Sequence, residues 1–165
     1  MQTYEQIFKY AIQMELDGYK FYTEKAEDMT NPTSKKIFTD LAEEEKDHYD
    51  YLQRLLNKYL EGGNIKDSLD ILPEYDSIFE AREESEHLDE TLKESDIPDL
   101  TILRTAYLIE RDAKELYMSI AENAEDDDIK AIFIKLSKWE EGHESLFKNE
   151  YDRRMKEYMN FPWGG

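Results

Sequence analysis

The chain has no cysteine among its 165 residues, and it has little proline, glycine or positive charge. The absence of cysteine excludes disulfides, thiolate metal sites, iron–sulfur clusters and cysteine nucleophiles. Proline occurs only at positions 32, 73, 98 and 162, so long stretches contain no residue that breaks a helix. The formal net charge of −19 leaves no basic cluster for phosphate contacts, and we therefore expect no nucleic-acid partner.

Long apolar runs are also missing. The first twenty residues, MQTYEQIFKYAIQMELDGYK, carry polar side chains at helical intervals. They have neither the apolar core of a secretory signal nor the length of apolar sequence that spans a bilayer. We therefore expect a cytoplasmic protein without a membrane partner, folded as a single domain over residues 1–165.

What the chain does have is helical periodicity. From Tyr4 onwards, apolar or small residues recur at spacings of three and four, at Ile7, Ala11, Met14, Gly18 and Tyr22. A second helix is predicted to begin at Asn31-Pro32, with Asn as its cap, and to end near Gly62-Gly63. No alternation of period two competes with this pattern, so the predicted class is all-α.

Two further helices follow in the second half. The third is predicted to begin near Pro98-Asp99, and the fourth to follow the acidic turn at 125–128 and continue to about Met159. Short turns make two antiparallel hairpins, and residues 62–98 form a long crossover, with a helical turn expected around 78–84. The prediction is a four-helix bundle of two hairpins.

The two hairpins repeat each other. A shift of 95 residues, without a gap, aligns Ala11–His48 with Ala106–His143, and 12 of the 38 positions are identical. Three of the identical pairs have side chains that can bind a metal ion: Glu15 and Glu110, Glu45 and Glu140, His48 and His143. Two such copies packed face to face give a bundle with a pseudo-twofold axis, near which equivalent residues meet.

These six residues predict a metal site. Glu45 and His48 are three residues apart on a helix, so both can reach one point, as can Glu140 and His143. Glu15 and Glu110 stand on faces of small or apolar residues, where a carboxylate is costly to bury unless it is paired or binds metal. Four Glu and two His suit a pair of ions such as iron or manganese. The competing interpretation is an interhelical salt-bridge network.

Three further groups of residues near this pattern are not predicted to bind metal directly. His87 also has a Glu three residues before it, but it lies in the crossover and is interpreted as a surface residue. Glu44 competes with Glu45 as a ligand, although its repeat position is Trp139, itself expected in the core. Tyr22 and Tyr117 either hydrogen-bond a ligand carboxylate or simply pack in the core.

Four stretches carry a family resemblance: AIQMELDGYKFYTEKAE, IFTDLAEEEKDHYDYL, AYLIERDAKELYMSIAE and IFIKLSKWEEGHESLF. They resemble the ferritin-like domain of rubrerythrins over residues 4–60 and 99–150. The resemblance implies a non-haem site of two iron ions that reacts with hydrogen peroxide or dioxygen. It also carries all six metal positions onto Glu15, Glu45, His48, Glu110, Glu140 and His143.

Two departures from the rubrerythrin pattern affect what the resemblance implies. Many rubrerythrins append a cysteine-ligated, rubredoxin-like domain, and this chain has no cysteine, so a separate electron-donor protein is expected. Many also carry an extra Glu three residues after the third-helix ligand, where this chain has Ala113. The six-ligand site is closer to that of bacterioferritin, which weakens the expectation of efficient peroxidase action.

The function predicted from sequence is that of a di-iron oxidoreductase acting as a homodimer. The alternatives are ferrous iron oxidation and sequestration without a ferritin cage, a manganese catalase, and a metal-free helical protein that binds partners. The ligand types do not separate iron from manganese or from a mixed site.

Overall fold

The computed structural model describes residues 3–62 and 100–160, and within these ranges it contains four α-helices and no strand. The helices are α1 (Tyr4–Asp28), α2 (Pro32–Leu60), α3 (Leu100–Asn123) and α4 (Asp127–Met159). Helix α1 packs against α2, and α3 packs against α4. The predicted ferritin-like four-helix bundle of two hairpins is confirmed.

The helix boundaries follow the local signals of the sequence. The side chain of Asn31 accepts hydrogen bonds from two backbone N–H groups in the first turn of α2, and Pro32 occupies the first position of that helix. Asp126 caps α4 in the same way. Asn31 and Asp126 are related by the shift of 95 residues, so the repeat includes the helix starts. Helix α2 ends just before Gly62, whose φ of 69° lies in the left-handed region that favours glycine.

The buried apolar side chains form two core clusters. The first core cluster occupies the first half of α1, the second half of α2, the second half of α3 and the first half of α4. It includes Phe8, Leu52, Tyr117, Phe133 and Trp139. The second core cluster lies towards the opposite end of each helix and includes Tyr22, Phe38, Leu103 and Phe147. Along every helix, the predicted metal-site residues fall between positions of one cluster and positions of the other.

The crossover between the hairpins lies almost entirely outside the described residues. His87 and the helical turn expected around 78–84 lie there as well. Among the helices that the structure describes, none has an apolar stretch long enough to cross a membrane.

Candidate metal centre

All four helices contribute to one buried polar cluster between the two core clusters. Helix α1 supplies one Glu, α2 a Glu and a His, α3 one Glu, and α4 a Glu and a His. We call these residues the central six: Glu15, Glu45, His48, Glu110, Glu140 and His143. Each is at most 3% exposed. The structure therefore brings together the six residues that the sequence predicted as metal ligands.

Within the central six, the ligand-type atoms form two overlapping groups. The first quartet is Glu15, Glu45, His48 and Glu140, and the second quartet is Glu45, Glu110, Glu140 and His143. In each quartet, every residue contributes one nitrogen or oxygen atom, and these four atoms lie within 4.8 Å of one another. Glu45 and Glu140 belong to both. The shift of 95 residues converts one quartet into the other, so the arrangement has the pseudo-twofold symmetry that the repeat predicted.

The burial of so many carboxylates has an electrostatic cost. Burial raises the pKa of Glu45 well above its usual value, and the charges of Glu110 and Glu15 raise it further. Burial beside Glu110 raises the pKa of Glu140 to about 8. Burial alone would lower the pKa of His48, but Glu15 and Glu140 outweigh it and raise that pKa to about 10. Protons thus offset negative charge in the metal-free cluster.

The two shared carboxylates also have unsatisfied oxygens. Glu45 Oε1 and Glu140 Oε2 are buried and accept no hydrogen bond from the described residues. Buried polar atoms in proteins almost always have a partner, and an orphaned pair facing several other carboxylates suits a cation. The central six therefore fit a pair of divalent metal ions in both donor chemistry and charge.

Two tyrosines hold carboxylates of the central six across the bundle. Tyr22 on α1 donates a hydrogen bond to Glu110 on α3, and Tyr117 on α3 donates one to Glu15 on α1. Burial raises the pKa of both hydroxyls, and the nearby carboxylates raise it further, so both remain protonated donors. Both rings also belong to the core clusters. The two roles considered for these tyrosines therefore coexist.

The hydrogen bond from Tyr22 contributes to the unusual acidity of its acceptor. Burial on its own would raise the pKa of Glu110, but contacts with Glu140, His143 and Tyr22 lower that pKa to about 2. Glu110 therefore remains a carboxylate at neutral pH, whereas Glu140 holds a proton in the absence of metal. Glu110 and Glu140 therefore differ in charge, although both belong to the second hairpin, because their neighbours differ.

Gly18 has a role that the sequence reasoning missed. A Cβ at this position would lie 2.6 Å from Glu45 Oε2. Only glycine therefore leaves room for the Glu45 carboxylate in its present place. The repeat position is Ala113, which is buried. The signal was present in the sequence as a break in the repeat, with glycine one helical turn after Glu15.

The structure also separates Glu44 from the shared carboxylates. Neither quartet contains Glu44, whereas both contain Glu45. Glu44 Oε2 lies 2.8 Å from His143 Nε2, at the edge of the cluster. Trp139 is buried, as expected, and its ring lies edge-on to that of His48 with the centroids 5.3 Å apart.

Comparison with known proteins agrees with this geometry. A model of the Rubrerythrin family matches residues 6–151, a range that includes the central six, Tyr22 and Tyr117. No curated protein and no solved structure matches the chain. The family match covers most of the 165 residues and extends into all four described helices. The chain therefore belongs to the rubrerythrin family.

Proposed function

We propose that this protein is a di-iron oxidoreductase that reduces hydrogen peroxide or dioxygen with electrons from a separate donor protein. The observation that carries the proposal is the pair of overlapping quartets, which share Glu45 and Glu140. Two sites that share two carboxylates suit a pair of neighbouring ions. Membership of the rubrerythrin family favours iron over manganese.

The roles of the residues follow from the quartets to which they belong. Glu45 and Glu140 would serve both ions, Glu15 and His48 one ion, and Glu110 and His143 the other. The four carboxylates carry the negative charge of the centre, and the two neutral imidazoles add none. Two divalent cations would neutralise this charge and so offset the cost of burying the carboxylates. When bound, a pair of ferrous ions supplies the electrons for reduction of an O–O bond.

The surrounding residues would hold this centre in place. Tyr22 and Tyr117 each keep a hydroxyl proton on a hydrogen bond to a carboxylate of the opposite hairpin. These bonds restrict the rotation of Glu110 and Glu15, which are otherwise flexible side chains. The aromatic side chains of the two core clusters exclude water from either side, which strengthens electrostatic interactions within the centre.

The electron donor is part of the proposal because this chain contains no cysteine. Iron–sulfur and rubredoxin-type centres require cysteine thiolates. Electrons for repeated turnover would therefore come from a centre outside these 165 residues. A rubredoxin-like protein is the donor class that the family resemblance implies.

The test is metal analysis combined with stopped-flow oxidation. Protein loaded with ferrous iron under anaerobic conditions should bind two ions per chain, and should oxidise in a single turnover with peroxide or dioxygen. Turnover should continue only when a reduced rubredoxin-like donor is added. Failure to bind iron would refute the di-iron site and favour a protein that only binds partners.

Two other results would redirect the assignment. Sustained disproportionation of peroxide without any reductant would identify a manganese catalase. Accumulation of a large ferric mineral would identify iron sequestration. Each of these outcomes contradicts the proposed reaction while retaining a metal centre on the central six.

A further inference from the structure

Glu44 connects the two hairpins at the edge of the central six. It directly precedes Glu45 on α2, yet its carboxylate reaches α4, where Oε2 lies 2.8 Å from Nε2 of His143. Its side chain is 33% exposed, whereas that of His143 is 2% exposed. Glu44 is therefore a partly exposed carboxylate that lies against the outer side of a buried imidazole.

The two ring nitrogens of His143 face different groups. Nδ1 lies 3.7 Å from Glu110 Oε2 and 3.8 Å from Glu140 Oε2, both members of the second quartet. Nε2 faces Glu44. A neutral imidazole that donates its Nε2 proton to a carboxylate has its lone pair on Nδ1, which here points into the second quartet. The 2.8 Å contact between Glu44 Oε2 and Nε2 restricts the ring plane, and a carboxylate at this nitrogen makes the imidazole a stronger electron donor.

We infer that Glu44 is a positioning residue, which orients His143 through Nε2 and strengthens the binding of the metal ion held by the second quartet. This inference rests on the proposed di-metal function. It assigns Glu44 a place outside the ligand set, on the far side of the imidazole from the shared carboxylates.

The contribution of Glu44 to the second quartet has no counterpart in the first quartet. The position that corresponds to Glu44 in the other hairpin is Trp139, whose indole packs edge-on against His48. A carboxylate and an indole differ in charge and in hydrogen-bonding capacity. Loss of Glu44 should therefore affect the ion of the second quartet far more than the ion of the first, although the ligands themselves are related by symmetry.

The experiment is a cobalt(II) titration of the metal-free protein with two Glu44 variants and a matched control. In Glu44→Ala, one of the two binding steps should weaken by about 10- to 100-fold while the other stays unchanged. Glu44→Gln should lose less, because its amide oxygen still accepts a hydrogen bond. Glu43→Gln removes an exposed carboxylate from the preceding position of α2 and should behave like the wild type.

A spectroscopic measurement separates positioning from a general structural role. In protein loaded with ⁵⁷Fe(II), the Mössbauer signal of one ion should change in Glu44→Ala and the other should not. Unchanged binding and spectra, or equal weakening of both steps, would overturn the inference while leaving the di-metal centre intact. Absence of metal binding by the wild type would instead overturn the proposed function and this inference together.

Discussion

The hydroxyl of Tyr117 donates a hydrogen bond to the carboxylate of Glu15, although the two residues belong to different hairpins and lie 102 positions apart. Tyr22 and Glu110 form the reciprocal bond, 88 positions apart. Each tyrosine therefore supports a carboxylate of the other repeat. These bonds join α1 to α3 at the level of the candidate metal centre.

Substitution of Tyr117 by Phe should destabilise the metal-free protein by about 1–3 kcal/mol, because the Glu15 carboxylate loses a buried donor. Tyr22→Phe should have a similar effect through Glu110. Urea denaturation measures both changes. The exposed Tyr10 provides the control, since Tyr10→Phe should leave the stability unchanged. Equal stability of all three variants would show that the two bonds contribute nothing.

Gly18→Ala should impair metal binding more than folding. The added methyl group collides with Glu45 Oε2, which lies at the end of a flexible side chain and can move aside. Alanine also favours the helix by about 1 kcal/mol relative to glycine. We expect the metal-free variant to unfold at or above the temperature of the wild type, and both ions to bind more weakly because Glu45 belongs to both quartets. Asp17→Asn, at the adjacent exposed position, should change neither, because it keeps a side-chain oxygen that accepts a hydrogen bond from Gln13 and has a similar helix propensity.

The metal-free protein should lose stability as the pH rises from about 5 to about 8. In the folded state the pKa of Glu140 is raised to about 8 and that of His48 to about 10, so the folded chain binds more protons than the unfolded chain across this range. A group with a raised pKa contributes stability that is lost as the pH increases towards the folded-state value. Denaturation midpoints at several pH values measure the trend.

The control for this pH dependence is Glu140→Gln, which keeps the shape of the side chain and cannot ionise. Its stability should decline less steeply over the same range. Loading with a divalent metal should remove or reverse the decline, because the ligands bind the metal in their deprotonated forms. A metal-free wild type that becomes more stable towards pH 8 would contradict the charge balance described for the central six.

Replacement of Ala113 by Glu should add a carboxylate one helical turn after Glu110. Ala113 is buried, so an unpaired carboxylate there should destabilise the metal-free protein. In the iron-loaded protein, the family resemblance predicts faster peroxide turnover relative to dioxygen. Stopped-flow comparison with Ala113→Gln separates the charge from the added volume. Identical peroxide-to-dioxygen ratios in both variants would contradict the prediction.

The sequence by itself determined the helices and the composition of the candidate site. The periodic apolar residues, the caps at Asn31 and Asp126 and the glycine after α2 are local signals, which act within a few residues of the chain. The repeat separated His48 and His143 from His87, because only the former have a matched Glu on the preceding helix. Local spacing and internal symmetry were therefore sufficient to select the central six.

The tertiary structure decided how those residues are used. Helical spacing places a side chain on a face, but it does not specify which residue of another hairpin that face meets. The packing of α1 against α3 paired Tyr117 with Glu15, and the close approach of α1 and α2 made Gly18 necessary. The position of α4 next to α2 directed Glu44 to the outer nitrogen of His143 and made Glu45 common to both quartets. These contacts depend on the relative placement of whole helices, which arises only when the two hairpins pack together.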